Sequence, residues 1–236
     1  MTKPTRDFEA LTERLGLSFT HLAKLEQAFV HRSYLNEHPN YPLDHNERLE
    51  FLGDAVLELV VTDHLFRTYP GSPEGELTNW RASLVNSDTL ASIAESLELE
   101  PYLYLSRGES KDTNRRARQT ILANAFEALL GAIYLDQSYD AAKTFIHEHV
   151  LPRLPHILEH KLYLDPKTRF QELAQEQQGI TPTYRVLEES GPDHAKRFRI
   201  GVFLGDQLMG EGDGLSKQDA QEQAATHAIT TLTGSD

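Results

Sequence analysis

The stretch Asn46-Glu47-Arg48-Leu49-Glu50-Phe51-Leu52-Gly53-Asp54-Ala55-Val56-Leu57 carries a helix-forming apolar pattern and a set of acids at the same time. Leu49, Leu52, Val56, Leu57, Val60 and Val61 recur at helical spacing, and the run stops at Pro70-Gly71. The helix expected over residues 47–69 places Glu50 and Asp54, four apart, on one face, with Glu47 flanking them. Like charges at that spacing destabilise a helix. A solvated acidic face is the plain reading. These acids, however, sit among core leucines and beside Gly53, a poor helix former. A hard divalent cation such as Mg²⁺, which takes oxygen ligands, would offset the repulsion.

A second strong helix is expected over residues 116–134. Within it, Asn124 and Glu127 are three apart and share a face inside a stripe of Ala, Leu and Phe. Polar groups in such surroundings are costly unless they are paired or ligating. Two polar clusters on two core helices point to one metal site shared between them.

Around these two helices the chain organises as a multi-domain protein. Further helices are expected over 8–15, 22–30, 77–84, 87–97 and 139–150. Residues 151–165 contain Pro152 and Pro155 and lose periodicity. After them the pattern changes. Residues 167–178 read as a helix, 182–189, 196–204 and 207–211 alternate with the strand period, and 216–232 return to a helix. The expected architecture is an all-α domain over 1–153, a linker over 154–164, and a small α+β domain of α-β-β-β-α order over 165–234. The glycine-rich Gly210–Gly214 reads as a turn. Residues 107–118 (RGESKDTNRRAR) read as a basic loop, either solvated or touching a nucleic-acid backbone.

The whole sequence sets limits on these readings. It has no cysteine, and no apolar run reaches the roughly 18 residues of a membrane span. A cytoplasmic protein with no membrane partner and no organic cofactor is expected. The net charge is −13. Residues 1–153 hold 15 basic and 23 acidic residues, and residues 154–236 hold 8 and 13. Nucleic-acid binders usually show a basic domain, so any such surface here must be a local patch.

NERLEFLGDAVL resembles the signature of the bacterial ribonuclease III family. Phe29-Val30-His31-Arg32-Ser33-Tyr34 and Ile121–Asp136 (ILANAFEALLGAIYLD) match two further family blocks in the same order. The resemblance covers roughly residues 7–153 and resumes over 165–233. It implies a homodimeric, Mg²⁺-dependent endonuclease, with Mn²⁺ able to substitute. Such an enzyme cuts both strands of double-stranded RNA, leaves 5′-phosphomonoesters, and processes rRNA and mRNA precursors. By motif position, Glu50, Asp54, Asn124 and Glu127 would hold the metal, with Asp54 and Glu127 catalytic. Glu47 and Glu74 match acids lining the cleft, and Phe51 matches an aromatic that plugs into a socket on the partner subunit. The family usually has Asp where this chain has Asn124. The amide supplies an oxygen without charge, which leaves open the alternative of a double-stranded-RNA-binding protein that cuts weakly or not at all.

The α-β-β-β-α segment resembles the double-stranded-RNA-binding domain, which reads A-form shape across two minor grooves. That resemblance implies RNA contacts by Thr168, Gln171 and Glu172 on its first helix. It implies further contacts by His194 in Gly191-Pro192-Asp193-His194, and by Ser216 and Lys217 at the start of the last helix. Gln218 and Gln221 stand where the family usually carries further lysines.

Overall fold

The computed structural model describes residues 6–192 and 196–233. The chain divides into two compact units, Met1–Glu159 and His160–Asp236.

The first unit is helical: α1 (Phe8–Leu15), α2 (Leu22–Ala28), α3 (Arg32–Glu37), α4 (Glu47–Thr68), α5 (Glu74–Val85), α6 (Ser87–Ser96), α7 (Arg107–Lys111), α8 (Arg115–Asp136), α9 (Tyr139–His149) and α10 (Leu154–Glu159). Helix α8 lies at its centre, with α2, α4, α6 and α9 packed around it. Leu122, Ala125, Phe126, Ala128, Leu129, Ala132 and Ile133 are all essentially inaccessible. A helix apolar on every side is enclosed by its neighbours, so polar residues in the middle of α8 stand out.

Helices α4 and α8 pack backbone against backbone, and the contact has a simple cause. A Cβ on Gly53 would fall 1.8 Å from the Glu127 carbonyl oxygen, and one on Gly131 would fall 2.2 Å from the Leu49 carbonyl oxygen. Only glycine at both positions lets the two backbones touch. Gly53 therefore marks where the helices cross, one residue before Asp54 and three after Glu50.

Several elements differ from the sequence expectation. Helices α3 and α7 are too short to show periodicity and are set by their caps. Ser33 N–H donates to His31 Nδ1 at 3.3 Å, and Glu109 N–H donates to Ser106 Oγ at 3.1 Å. The segment expected as a basic loop thus contains α7 and the first turn of α8. Helix α5 starts at Glu74, directly after Pro73, rather than at residue 77. Residues 154–159, expected in the linker, form α10 instead, with Leu154 and Ile157 buried in the first unit. Pro155 lies in its first turn, where proline is tolerated.

The second unit runs α11 (Pro166–Gln178), β1 (Thr183–Ser190), β2 (Arg197–Leu204), β3 (Gln207–Gly214) and α12 (Lys217–Thr233). The strands form an antiparallel sheet in the order β1-β2-β3, with Tyr184 opposite Val202 and Val202 opposite Gly210. Its core joins Phe170 and Ala174 of α11 to Val202, Leu204 and Met209 of the sheet and Ala224, Ala225, Ala228 and Ile229 of α12. The glycines read as a turn belong to β3. A Cβ on Gly210 would meet the Ala224 carbonyl oxygen at 2.5 Å, and one on Gly212 would meet Ala224 N at 2.3 Å. Glycine on the strand and alanine on the helix let α12 lie directly on the sheet. Among the described residues no helix is long and apolar enough to cross a membrane.

Candidate metal centre and RNA-facing surfaces

The crossing at Gly53 brings Glu50 and Asp54 of α4 against Asn124 and Glu127 of α8. The Asn124 carboxamide donates a hydrogen bond to the Glu50 carboxylate, which favours the charged form. Burial nevertheless raises the Glu50 pKa, and Glu47 and Asp54 push in the same direction. Burial and the charge of Glu58 raise Asp54. Glu127 is the most perturbed of the three: burial first, then Asp54 and Glu50, push it up to about 8. Among the described residues, no Lys or Arg is among the charges acting on these three carboxyls. Among the described residues, no three His, Asp or Glu side chains form a chelate ready to hold an ion. The oxygen set is a loose group of three carboxyls plus one carboxamide.

Two acids named from the sequence sit outside that group. Glu47 lies beside it but is engaged elsewhere, 3.4 Å from Arg32 and 3.7 Å from His45. The pairing of Glu47 with Arg32 and His45 was not read from the sequence, because nothing in their spacing ties them to Glu47. Glu74 heads α5 and accepts from Thr78 Oγ1 at 3.2 Å. It lines a groove of about 390 Å³ with Leu65, Phe66, Leu77 and Arg81, away from the four-residue cluster of its own chain.

Phe51 is 81% exposed. Leu59 and Phe66, also largely exposed, continue from it along α4 as an apolar stripe bordering the acidic face.

On the second unit, Asp165 caps α11 by accepting from Lys167 N–H and Thr168 N–H, both at 3.1 Å, and from Thr168 Oγ1 at 2.5 Å. Thr168, Gln171 and Glu172 are exposed on α11. Glu172 is paired with Lys161 at 2.7 Å. Ser216 caps α12 by accepting from Asp219 N–H at 3.0 Å. Lys217 Nζ lies 5.4 Å from the centre of the Phe198 ring. His194 lies outside the described residues. Lys167 was missed from the sequence. It reaches from α11 to α12, donating to Gln221 Oε1 at 2.8 Å, so a cation stands over a position where the chain itself has glutamine.

A family model described as Ribonuclease-III-like matches residues 23–154, and one described as a double-stranded RNA binding motif matches residues 166–232. The chain belongs to the ribonuclease III family. A ribonuclease 3 of Oceanobacillus iheyensis is 44% identical over 97% of this chain and all of its own length. One of Pelotomaculum thermopropionicum is 45% identical over 93% of this chain and 90% of its own length. A solved structure of the nuclease domain of ribonuclease III from Campylobacter jejuni superposes with a TM-score of 0.55 at 36% identity. It covers 63% of this chain and 99% of that one. As a bacterial ribonuclease III, the protein is an endonuclease of the hydrolase class, with a helical nuclease domain followed by a double-stranded-RNA-binding domain.

Proposed function

We propose that this ribonuclease III is a cytoplasmic, homodimeric, Mg²⁺-dependent enzyme that hydrolyses both strands of double-stranded RNA, including structured rRNA and mRNA precursors. The observation that carries the reading is the uncompensated group Glu50, Asp54 and Glu127, completed by the Asn124 carboxamide. Its donors are all oxygen and, among the described residues, its charges have no basic partner, which suits a hard divalent cation. Mg²⁺ keeps several of its waters and needs only one or two carboxylates from the protein. Glu50, Asp54, Asn124 and Glu127 would hold it. A bound divalent cation supplies Lewis-acid stabilisation of phosphoryl charge and a more acidic water.

The chain's own residues account for the rest. Asn124 orients Glu50 through its hydrogen bond. Glu127, with its pKa raised to about 8, retains a proton at neutral pH until positive charge arrives beside it. Asp54, the most open of the three, is placed to accept a proton from an attacking water. Thr168, Gln171, Glu172, His194, Ser216 and Lys217 would contact the duplex, and Lys167 would supply phosphate charge beside Lys217.

The dimer reading rests on Phe51. An aromatic this exposed beside an acidic face is suited to fill a pocket on a second copy, and the groove lined by Phe66 and Glu74 is such a pocket. Seating Phe51 of one copy there would bring Glu74 of the other towards Glu50 and Asp54. That gives Glu74 a part in the cleft which it lacks within a single chain.

The test is cleavage of long duplex RNA with Mg²⁺, with single-stranded RNA and duplex DNA as controls. Glu127→Gln should abolish cutting and leave duplex binding intact. A Glu127→Gln variant that cuts at the wild-type rate would remove this residue from the site. A wild type that binds duplex RNA without cutting, and regains turnover as Asn124→Asp, would establish the binding-protein alternative.

A further inference from the structure

The block Phe29–Tyr34 holds none of the four metal donors, yet it is joined to the start of α4, the turn that carries Glu47 and Glu50. Asn46 makes the junction. It is buried, its Nδ2 donates to the Ala28 carbonyl at 3.0 Å, and its backbone N–H donates to the Val30 carbonyl at 2.8 Å. Its own carbonyl accepts from Leu49 N–H and Glu50 N–H, both at 2.9 Å, so the first turn of α4 is fixed to the turn between α2 and α3. Arg32 stands on an equally fixed base. On one side of it His31 N–H donates to the Tyr104 carbonyl at 3.1 Å, and on the other Ser33 Oγ accepts from Ser106 N–H at 3.2 Å.

Across this junction Arg32 Nη1 lies 3.4 Å from Glu47 Oε1, and His45 Nδ1 lies 3.7 Å from Glu47 Oε2. An exposed pair of long side chains on loose supports counts for little. Here both supports are tied down, and one carboxylate is held between two bases from different segments. Arg32 is not among the charges acting on Glu50, Asp54 or Glu127, whereas Glu47 is second only to burial in raising the Glu50 pKa. The effect of Arg32 on the centre therefore passes through Glu47. Glu47 lies three residues before Glu50, close to the same side of α4. Released from its two bases, its carboxylate would be free to turn towards the ion that Glu50 holds. Mg²⁺ needs only one or two carboxylates, and affinity for such cations follows the charge of the ligands.

We propose that Arg32, with His45 on the other flank, is a positioning residue that keeps Glu47 off the ion and so holds the Mg²⁺ affinity of the centre below what its acids would otherwise give. This rests on the reading of Glu50, Asp54, Asn124 and Glu127 as a metal centre, and it adds a residue that lies outside that group. It also gives the Phe29–Tyr34 block a part in the reaction: it supplies the base on which the restraint stands.

The test uses the full chain without RNA. Binding of Mn²⁺ alone is followed by the electron paramagnetic resonance signal of the free ion, and binding of Mg²⁺ by the rise in melting temperature. R32Q should bind Mn²⁺ roughly three- to tenfold more tightly than the wild type, and its Mg²⁺-induced melting shift should reach half-maximum at a correspondingly lower concentration. R32K keeps the charge and should stay near the wild type. In the E47Q background, R32Q should change the affinity little. The Arg32 side chain is 68% exposed, so its loss leaves no cavity. R32A serves in its place if circular dichroism shows R32Q misfolded.

An unchanged Mn²⁺ affinity in R32Q overturns the proposal, as does a weaker one, which would mean that Arg32 supports the centre instead of restraining it. An equal gain in the E47Q background also overturns it, because Arg32 would then act on the ion directly. Loss of duplex-RNA binding by R32Q in EDTA with metal binding unchanged would make Arg32 a phosphate contact. A wild type that binds neither Mn²⁺ nor Mg²⁺ defeats the metal-centre reading itself. A wild type that binds them with an affinity indifferent to Arg32 defeats only the restraint.

Discussion

Glu127→Gln makes a demand on stability as well as on activity. In the cation-free protein the carboxyl is displaced from 4.5 to about 8 by burial and by Asp54 and Glu50. The folded state thus binds this proton more tightly than the unfolded chain does. The fold keeps its full contribution below about pH 4.5, loses it as pH rises, and carries the whole penalty above about pH 8. Such a displacement corresponds to at most about 5 kcal/mol. The side chain is only half-buried, and solvent screening reduces the penalty to roughly 2 kcal/mol. Glutamine has the same shape and no charge to desolvate. In EDTA the variant should therefore melt about 4–8 °C above the wild type at about pH 8.5. At about pH 5 the two should melt nearly together. Adding Mg²⁺ at the higher pH should raise the wild type and close most of the gap, since a bound cation removes the same repulsion. The assay is thermal melting of the full chain followed by circular dichroism. A melting difference independent of pH, or a Mg²⁺ effect of equal size in both proteins, would refute the placement of Glu127 in a cation-seeking cluster.

Three further outcomes follow from the same structure. Phe51→Ala should weaken the dimer by roughly 2 kcal/mol or more, as buried aromatic anchors do, and sedimentation at low concentration should show monomer where the wild type shows dimer. Gly53→Ala forces a methyl group into the Glu127 carbonyl, so it should cost about 3 kcal/mol or more and abolish cleavage even where the protein still folds; full activity at an unchanged melting temperature would show that the crossing is looser than described. Asn124→Asp adds one charge to the donor set and should lower the Mg²⁺ needed for half-maximal cleavage, while Mn²⁺ should narrow the difference between the two forms; identical metal midpoints would mean that residue 124 does not face the ion.

The long elements were legible because their patterns are long. α4 and α8 each span about six turns, and the acids at 50, 54 and 127 were conspicuous against an apolar background. What joins them was harder to read. Gly53 registered only as a helix-weakening residue, whereas its role is to admit a neighbouring backbone, and that depends on Gly131, which lies far away in sequence. The same holds for Gly210 and Gly212, where a glycine at every second position suggests a turn until Ala224 and Ala228 are seen against them. α3, α7 and α10 are short and depend on caps or on tertiary burial, which periodicity does not register. Glu74 could be named as an acid but not placed, because its groove and the four-residue cluster lie on different parts of one chain. Lys167 escaped notice because its partner Gln221 lies on the last helix of the unit.

The meeting of Gly53 with Glu127 and of Gly131 with Leu49 has a consequence for how the enzyme tolerates change. Where helices are separated by side chains, the gap between them follows the sizes of those side chains, and every core replacement moves it. Here nothing lies between the two backbones at the crossing, so the separation of the Glu50–Asp54 and Asn124–Glu127 pairs is fixed by hard contact of main-chain atoms. Residues such as Val56, Val60, Ala128 and Leu129 can drift among hydrophobic alternatives, at a cost in stability, without re-spacing the acids. The two glycines cannot. The core can vary while the centre it surrounds keeps its dimensions.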